Sequence, residues 1–268
     1  MSSYDLGFIG AGNMAEALCR GILAAKLLPA SRIAASDISG ARREVFGRLG
    51  VTAVADNLLT AKESDIVLLA VKPQDVDGVL REVAAQLGPR KLVISIAAGI
   101  KTAKIEKACA GCRVVRAMPN TPMLVGEGMT ALCAGTGARP EDMETAARIF
   151  RAGGRVVTVD EAAMNIVTAL SGTGPGYFFY FVEAMIEAGV AEGLTRPLAE
   201  TLVSQTLLGA GRLLAKSGES AAELRRKVTS PGGTTEAAVR LMDEGRVRET
   251  LIAAVRRAAQ RAGEMSSG

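Results

Sequence analysis

The sequence predicts an α/β protein, with a doubly wound parallel sheet at the N-terminus followed by an all-α C-terminal region. Three observations carry this reading. Short β-branched runs alternate with helical patterns through the first half of the chain, the order that builds βαβ units. The first of these runs feeds directly into a glycine-rich turn, Gly10-Ala11-Gly12. Beyond Asp160 the periodicity is helical, with almost no strand signal.

Strand-like runs cover residues 4–9, 32–36, 66–71, 91–96 and 113–117, and residues 129–133 and 155–159 add later strands. Helical patterns fill several of the gaps, at 15–25 and 76–87. The change at Asp160 divides the chain into an N-terminal domain, 1–160, and a C-terminal helical domain, 161–268, with no low-complexity linker and no internal repeat. The second domain is rich in Ala, and five of the nine aromatic side chains (six Phe, three Tyr) fall in Tyr177-Phe178-Phe179-Tyr180-Phe181. That run reads as the buried core of a helix. A helix apolar nearly all round needs a partner, so a subunit interface is the natural extension.

Composition narrows the function. The 268 residues are 49% apolar, enough for one large core or two ordinary ones and unlike a disordered chain. The net charge is only +4, and arginines sit among acids, as in Arg42-Arg43-Glu44. No basic stripe marks a nucleic-acid partner. The N-terminus lacks a basic segment before an apolar run, so a cytoplasmic protein is expected. The most apolar stretch, 177–186, contains Glu183 and is too short to span a bilayer. There is no histidine. Ser-His-Asp and Cys-His catalysis are therefore excluded, and the usual general base is missing. Cys109 and Cys112 form a lone CxxC. Without a second pair or a histidine it makes no zinc site, and it reads as two reduced thiols. No metal is expected.

The glycine turn, Ile9-Gly10-Ala11-Gly12-Asn13-Met14-Ala15, has the G-x-G-x-x-A form of a dinucleotide fingerprint. Gly10 permits the tight turn, Gly12 lets backbone N–H groups approach a pyrophosphate, and Ala15 lets the helix pack close to the strand. In this context the N-terminal domain is Rossmann-like. Asp37, between Ser36 and Ser39, ends the second run. An acid there bonds ribose hydroxyls and favours NADH, whereas the serines with Arg42 and Arg43 suit the 2′-phosphate of NADPH. Asp37 also reads as a helix cap. Ala70-Val71-Lys72-Pro73 ends the strand-like run 66–71, on the side where open sheets bind ligands. Lys72 then lies beside a cofactor, or is simply a solvated loop lysine. Ala97-Ala98-Gly99 leaves room for a flat ring after the run 91–96, and Asn120, between two prolines, offers a donor and an acceptor. In the helical domain, Ser230-Pro231-Gly232-Gly233-Thr234-Thr235-Glu236 sets a glycine turn before a helix start. Such a turn is a carboxylate site or an ordinary capped helix.

Taken together, these segments resemble the pyrroline-5-carboxylate reductase family. The resemblance rests on residues 7–15, 70–73, 97–99, 120–122, 170–175 and 230–235, in family order along nearly the whole chain. It implies reduction of a cyclic imine, 1-pyrroline-5-carboxylate, to proline by NADPH or NADH. It also implies an all-α C-terminal dimerisation domain that intertwines with a second copy, and rings of dimers, commonly a decamer. By the same match Asn57 approaches the adenosine side of the cofactor. Residues Ala70, Val71, Lys72 and Pro73 line its cleft. Gly232, Gly233 and Thr234, beside Ser230, hold the substrate carboxylate, and Thr235 bonds the ring nitrogen. Family members favour NADPH, with some using NADH well; Asp37 departs from the serine-type residue expected at its position.

Two other readings compete. A β-hydroxyacid dehydrogenase needs a general base, typically a lysine on the first long helix of its second domain, and residues 164–191 contain no lysine. A catalytically inactive dinucleotide-binding module has no need of the 230–235 turn.

Overall fold

The computed structural model describes residues 2–109 and 111–267. In the N-terminal part the elements alternate as expected. They are β1 (Tyr4–Ile9), α1 (Asn13–Ala24), β2 (Ile33–Ser36), α2 (Gly40–Arg48), β3 (Thr52–Val54), α3 (Asn57–Glu63), β4 (Ser64–Leu69), α4 (Val76–Val83), β5 (Leu92–Ser95), α5 (Thr102–Ala108), β6 (Arg113–Met118), β7 (Gly128–Ala134), α6 (Pro140–Arg151) and β8 (Gly154–Thr158). All seven expected strands are present. The strand β3, only three residues long, is an addition.

The strands form one sheet in the order β3-β2-β1-β4-β5-β6-β7-β8. Neighbours are parallel throughout, except for the antiparallel pair β6–β7. Ile9 pairs with Ser36 on one side and with Leu69 on the other, so β1, β2 and β4 end level. Side-chain alternation sends Leu6, Phe8, Leu68 and Ile94 to one face with Leu18, Ile22 and Phe150. It sends Ile9, Val67, Leu69 and Val93 to the other with Val76, Leu80 and Val83. Both faces are covered, as a parallel sheet requires. Each fully buried Leu, Ile or Phe contributes about 1.5–3 kcal/mol.

The remaining elements are α7 (Met164–Val167), a π-helical turn (Thr168–Gly172), α8 (Gly174–Ala191), α9 (Arg196–Ser217), α10 (Ala221–Lys227), α11 (Thr234–Glu244) and α12 (Val247–Ser267). By contacts, Met1–Thr173 with Arg257–Gly268 make one compact unit and Gly174–Arg256 a second. This grouping differs from a division at Asp160 for a packing reason. Met164 is fully buried in a cluster with Ala131 and Cys133, so α7 belongs with the sheet. The end of α12 returns to the same unit, where the Ser266 hydroxyl donates to Asn165 Oδ1 at 3.3 Å.

Two expectations are corrected. The aromatic run is not a buried core within this chain: Phe178, Phe179 and Tyr180 on α8 are 58–72% exposed. Helical periodicity identifies an apolar surface but not what covers it. Cys109 and Cys112 are not two separate thiols but are joined as a disulfide, with Cα atoms 5.7 Å apart. The i,i+3 spacing at the end of α5 brings the two side chains together.

Candidate functional site

The glycine turn sits where the strand order reverses, with β1 flanked by β2 and β4, the place where open α/β sheets bind ligands. Gly10 adopts φ +94°. Its N–H donates to Ser36 O, and Ala70 N–H donates to Ile9 O, both at 2.8 Å. A Cβ on Gly10 would lie 2.8 Å from the Ala70 carbonyl. Backbone angle and crowding thus both demand glycine, and they bring Ala70 and Val71 against the turn. Gly12 precedes α1 with no side chain capping the helix, and the space beside its Cα is open. Leading N–H groups of α1, at Asn13 and Met14, border that space, so the residues present fit a pyrophosphate.

Asp37 is held at the end of β2. Its Oδ2 accepts Ala11 N–H and its Oδ1 accepts Ser39 N–H, both at 2.8 Å. It does not cap α2, since Ser39 does that by accepting Arg42 N–H. Ser36 is fully buried, and its hydroxyl donates to Asn57 Oδ1 at 2.8 Å. Asn57 in turn donates to Glu82 Oε2. Ser36 therefore orients Asn57 from the interior of the sheet and presents no free hydroxyl at its surface. Arg42 Nε donates to Ala11 O at 2.6 Å, and its Nη2 reaches Glu16 Oε2 at 2.8 Å. Burial pushes the Glu16 carboxyl up, but hydrogen bonds from Arg42 and then Arg20 outweigh it and hold the group below the usual range.

The other sequence-predicted residues line the same sheet edge. Lys72 is exposed, and Pro73 begins the 3-10 turn that leads into α4. Ala97 and Gly99 are buried, and Gly99 lies against Met265 of α12. Asn120 is engaged at both ends of its amide, donating to Ser171 O at 3.0 Å and accepting Met129 N–H at 2.8 Å. It braces the loop after β6. Burial pushes the Cys19 thiol up to about 12 and the Cys133 thiol up to about 11, so neither is a thiolate nucleophile at neutral pH.

In the second unit, Gly232 adopts φ +70° and Gly233 leads into α11 without a side-chain cap. Gly233 N–H donates to Ser230 O at 3.0 Å. The Gly232 N–H is taken by Glu236 Oε2 at 2.7 Å. Elsewhere in this unit the hydroxyls of Thr201, Thr206, Thr229 and Thr250 bond the carbonyl four residues back. The hydroxyls of Thr234 and Thr235 make no such bond among the described residues. Thr235 is half-buried. Sequence reading passed over Glu16 and named Glu236 in the turn without giving it a role, although an acid in the first turn of a helix that follows a glycine turn was the signal.

Sheet order, glycine turn and anchored Asp37 together define a dinucleotide-binding oxidoreductase. Residues 5–99 match a family model described as NADP oxidoreductase, coenzyme F420-dependent, and residues 161–265 match one for pyrroline-5-carboxylate reductase dimerisation. The chain is 43% identical to pyrroline-5-carboxylate reductase of Arabidopsis thaliana, over 98% of this chain and 96% of the relative. The solved pyrroline-5-carboxylate reductase of Coxiella burnetii superposes with TM-score 0.90 at 40% identity, covering 98% of this chain and 99% of that one. The Plasmodium falciparum pyrroline carboxylate reductase, solved with NADP bound, gives 0.89 at 32% identity, covering 99% of both. The chain belongs to the pyrroline-5-carboxylate reductase family.

Proposed function

We propose that this chain reduces 1-pyrroline-5-carboxylate to L-proline with NADPH or NADH, the last step of proline biosynthesis. The observation that carries the reading is the full-length similarity to pyrroline-5-carboxylate reductases; the Glu236 carboxylate on the Gly232 N–H supports the turn as an anion site. Ser230, Gly232, Gly233 and Thr234 form that carboxylate site. The Thr235 hydroxyl, uncommitted to the helix, accepts a hydrogen bond from the protonated ring nitrogen. These two contacts set which face of the ring is presented. A protonated imine is a strong hydride acceptor, so the chain needs no histidine to activate it.

On the cofactor side, Ile9, Gly10, Ala11, Gly12, Asn13 and Met14 hold the pyrophosphate, and Asp37 and Asn57 hold the adenosine ribose, with the buried Ser36 orienting Asn57 from behind instead of touching the ribose itself. Ala70, Val71, Lys72 and Pro73, with Ala97, Ala98, Gly99 and Asn120, line the cleft towards the nicotinamide. When bound, NADPH or NADH supplies the hydride.

Residues 1–160 serve the cofactor in this reading. Residues 161–268 serve substrate binding and dimerisation, and five dimers form a decamer. The match to a dimerisation model and the exposed aromatics of α8 support the dimer. Light scattering on the full chain tests the ring, which requires ten copies. The proposed location is the cytoplasm, where both substrate and cofactor are soluble metabolites. No described helix is long and apolar enough to cross a membrane. The activity is tested by following NADPH and NADH oxidation with pyrroline-5-carboxylate, alongside NAD⁺ reduction with β-hydroxyacids. Turnover is expected in the first assay and not in the second.

A further inference from the structure

We propose that Glu16 tunes the choice between NADH and NADPH by holding Arg42 away from the adenosine 2′-oxygen. The inference rests on the reading that Asp37 and the residues after β2 receive the adenosine ribose. Asp37 accepts the N–H of Ala11 while Arg42 donates to the carbonyl of the same residue. The acid that suits a free 2′-hydroxyl and the cation that suits a 2′-phosphate are therefore anchored on one residue of the glycine turn, through its N–H and its carbonyl.

Arg42 is already partly committed before a phosphate arrives. Its Nη2 donates to Glu16 Oε2 at 2.8 Å, and the two side chains are only 25% and 19% exposed. Water and salt screen such a pair less than an open surface pair. Glu16 Oε1 also takes Arg20, which is 55% exposed. The other nearby cation, Arg43, is engaged with the carbonyls of Asp37 at 2.7 Å and Ile38 at 2.9 Å. A 2′-phosphate therefore arrives beside the charge of Asp37 and must compete with Glu16 for its nearest guanidinium. Removing the charge of Glu16 relieves both the competition and part of the repulsion.

The test is steady-state kinetics of the full chain with pyrroline-5-carboxylate and each cofactor in turn. Glu16→Gln is expected to raise the NADPH-to-NADH ratio of kcat/KM about tenfold, the size of one charge-assisted hydrogen bond. The change is expected in the KM for NADPH rather than in kcat. Glu16→Ala, which offers Arg42 no acceptor at all, shifts the ratio the same way. Arg20→Gln removes the outer partner of Glu16 and leaves the ratio within about twofold, the scatter of an exposed pair. Arg42→Gln weakens NADPH selectively, and adding Glu16→Gln to it restores nothing. If Arg42→Gln weakens NADPH while both Glu16 variants leave the ratio unchanged, the role of Glu16 is refuted and the ribose reading stands. If Arg42→Gln and the Glu16 variants all leave the ratio unchanged, the ribose reading fails and the proposal with it.

Discussion

Glu236 places one carboxylate oxygen 2.7 Å from the backbone nitrogen of Gly232, so the turn before α11 holds an anion supplied by its own helix. In the proposed function a substrate carboxylate displaces it. Glu236→Gln is expected to lower the KM for pyrroline-5-carboxylate about two- to fivefold with kcat little changed, the modest size of an exposed hydrogen bond. A raised KM would mean that Glu236 braces the turn instead of competing for it.

Thr235 is the sharpest test of how the ring is oriented. Its hydroxyl makes no bond to the helix, whereas those of Thr229 and Thr250 do. Thr235→Ala is expected to fold and to bind cofactor normally, and to lose about ten- to hundredfold in kcat/KM. Thr235→Ser keeps most of the activity. Full activity in Thr235→Ala would assign the ring nitrogen to another partner.

In the proposed cofactor site, replacing Asp37 removes a negative charge beside the 2′-phosphate. Asp37→Ser is expected to shift the kcat/KM ratio towards NADPH by roughly tenfold, about 1.4 kcal/mol. Because Asp37 also holds Ala11 N–H, the KM for NADH should rise in the same variant. An unchanged ratio would show that the carboxylate serves only the turn.

Arg116 is 3% exposed and pairs with Glu161 Oε1 at 3.3 Å, and Glu161 also accepts the N–H and hydroxyl of Thr102. Glu161→Ala strands a buried guanidinium and uncaps α5. It is expected to cost about 2–4 kcal/mol, read as a lower urea midpoint with an unchanged m-value. A midpoint equal to the parent's would show that Arg116 finds another acceptor.

The fold was legible where local pattern and topology agree. The run 4–9 followed by Gly10-Ala11-Gly12 specified a strand, a turn and a helix start at once, and the structure adds that Ala70 crowds Gly10. Strand β3 escaped notice because three residues carry no period. The aromatics of α8 were read as core because a sequence records which surface is apolar, not which copy covers it. Around Asp37 the residue types were visible, but their pairing was not. Arg42 lies 26 positions from Glu16, and only the sheet order brings them together. The same holds for Glu161 and Thr102, 59 positions apart.

The central claim is hydride delivery to the imine carbon of pyrroline-5-carboxylate. The most direct measurement supplies the full chain with that substrate and NADPH or NADH deuterated at the transferring position of the nicotinamide, followed by chiral separation and mass analysis of the product. The account predicts L-proline carrying one deuterium on the former imine carbon, formed mole for mole with oxidised cofactor. Cofactor oxidation without labelled proline, or no oxidation with either cofactor, would contradict it.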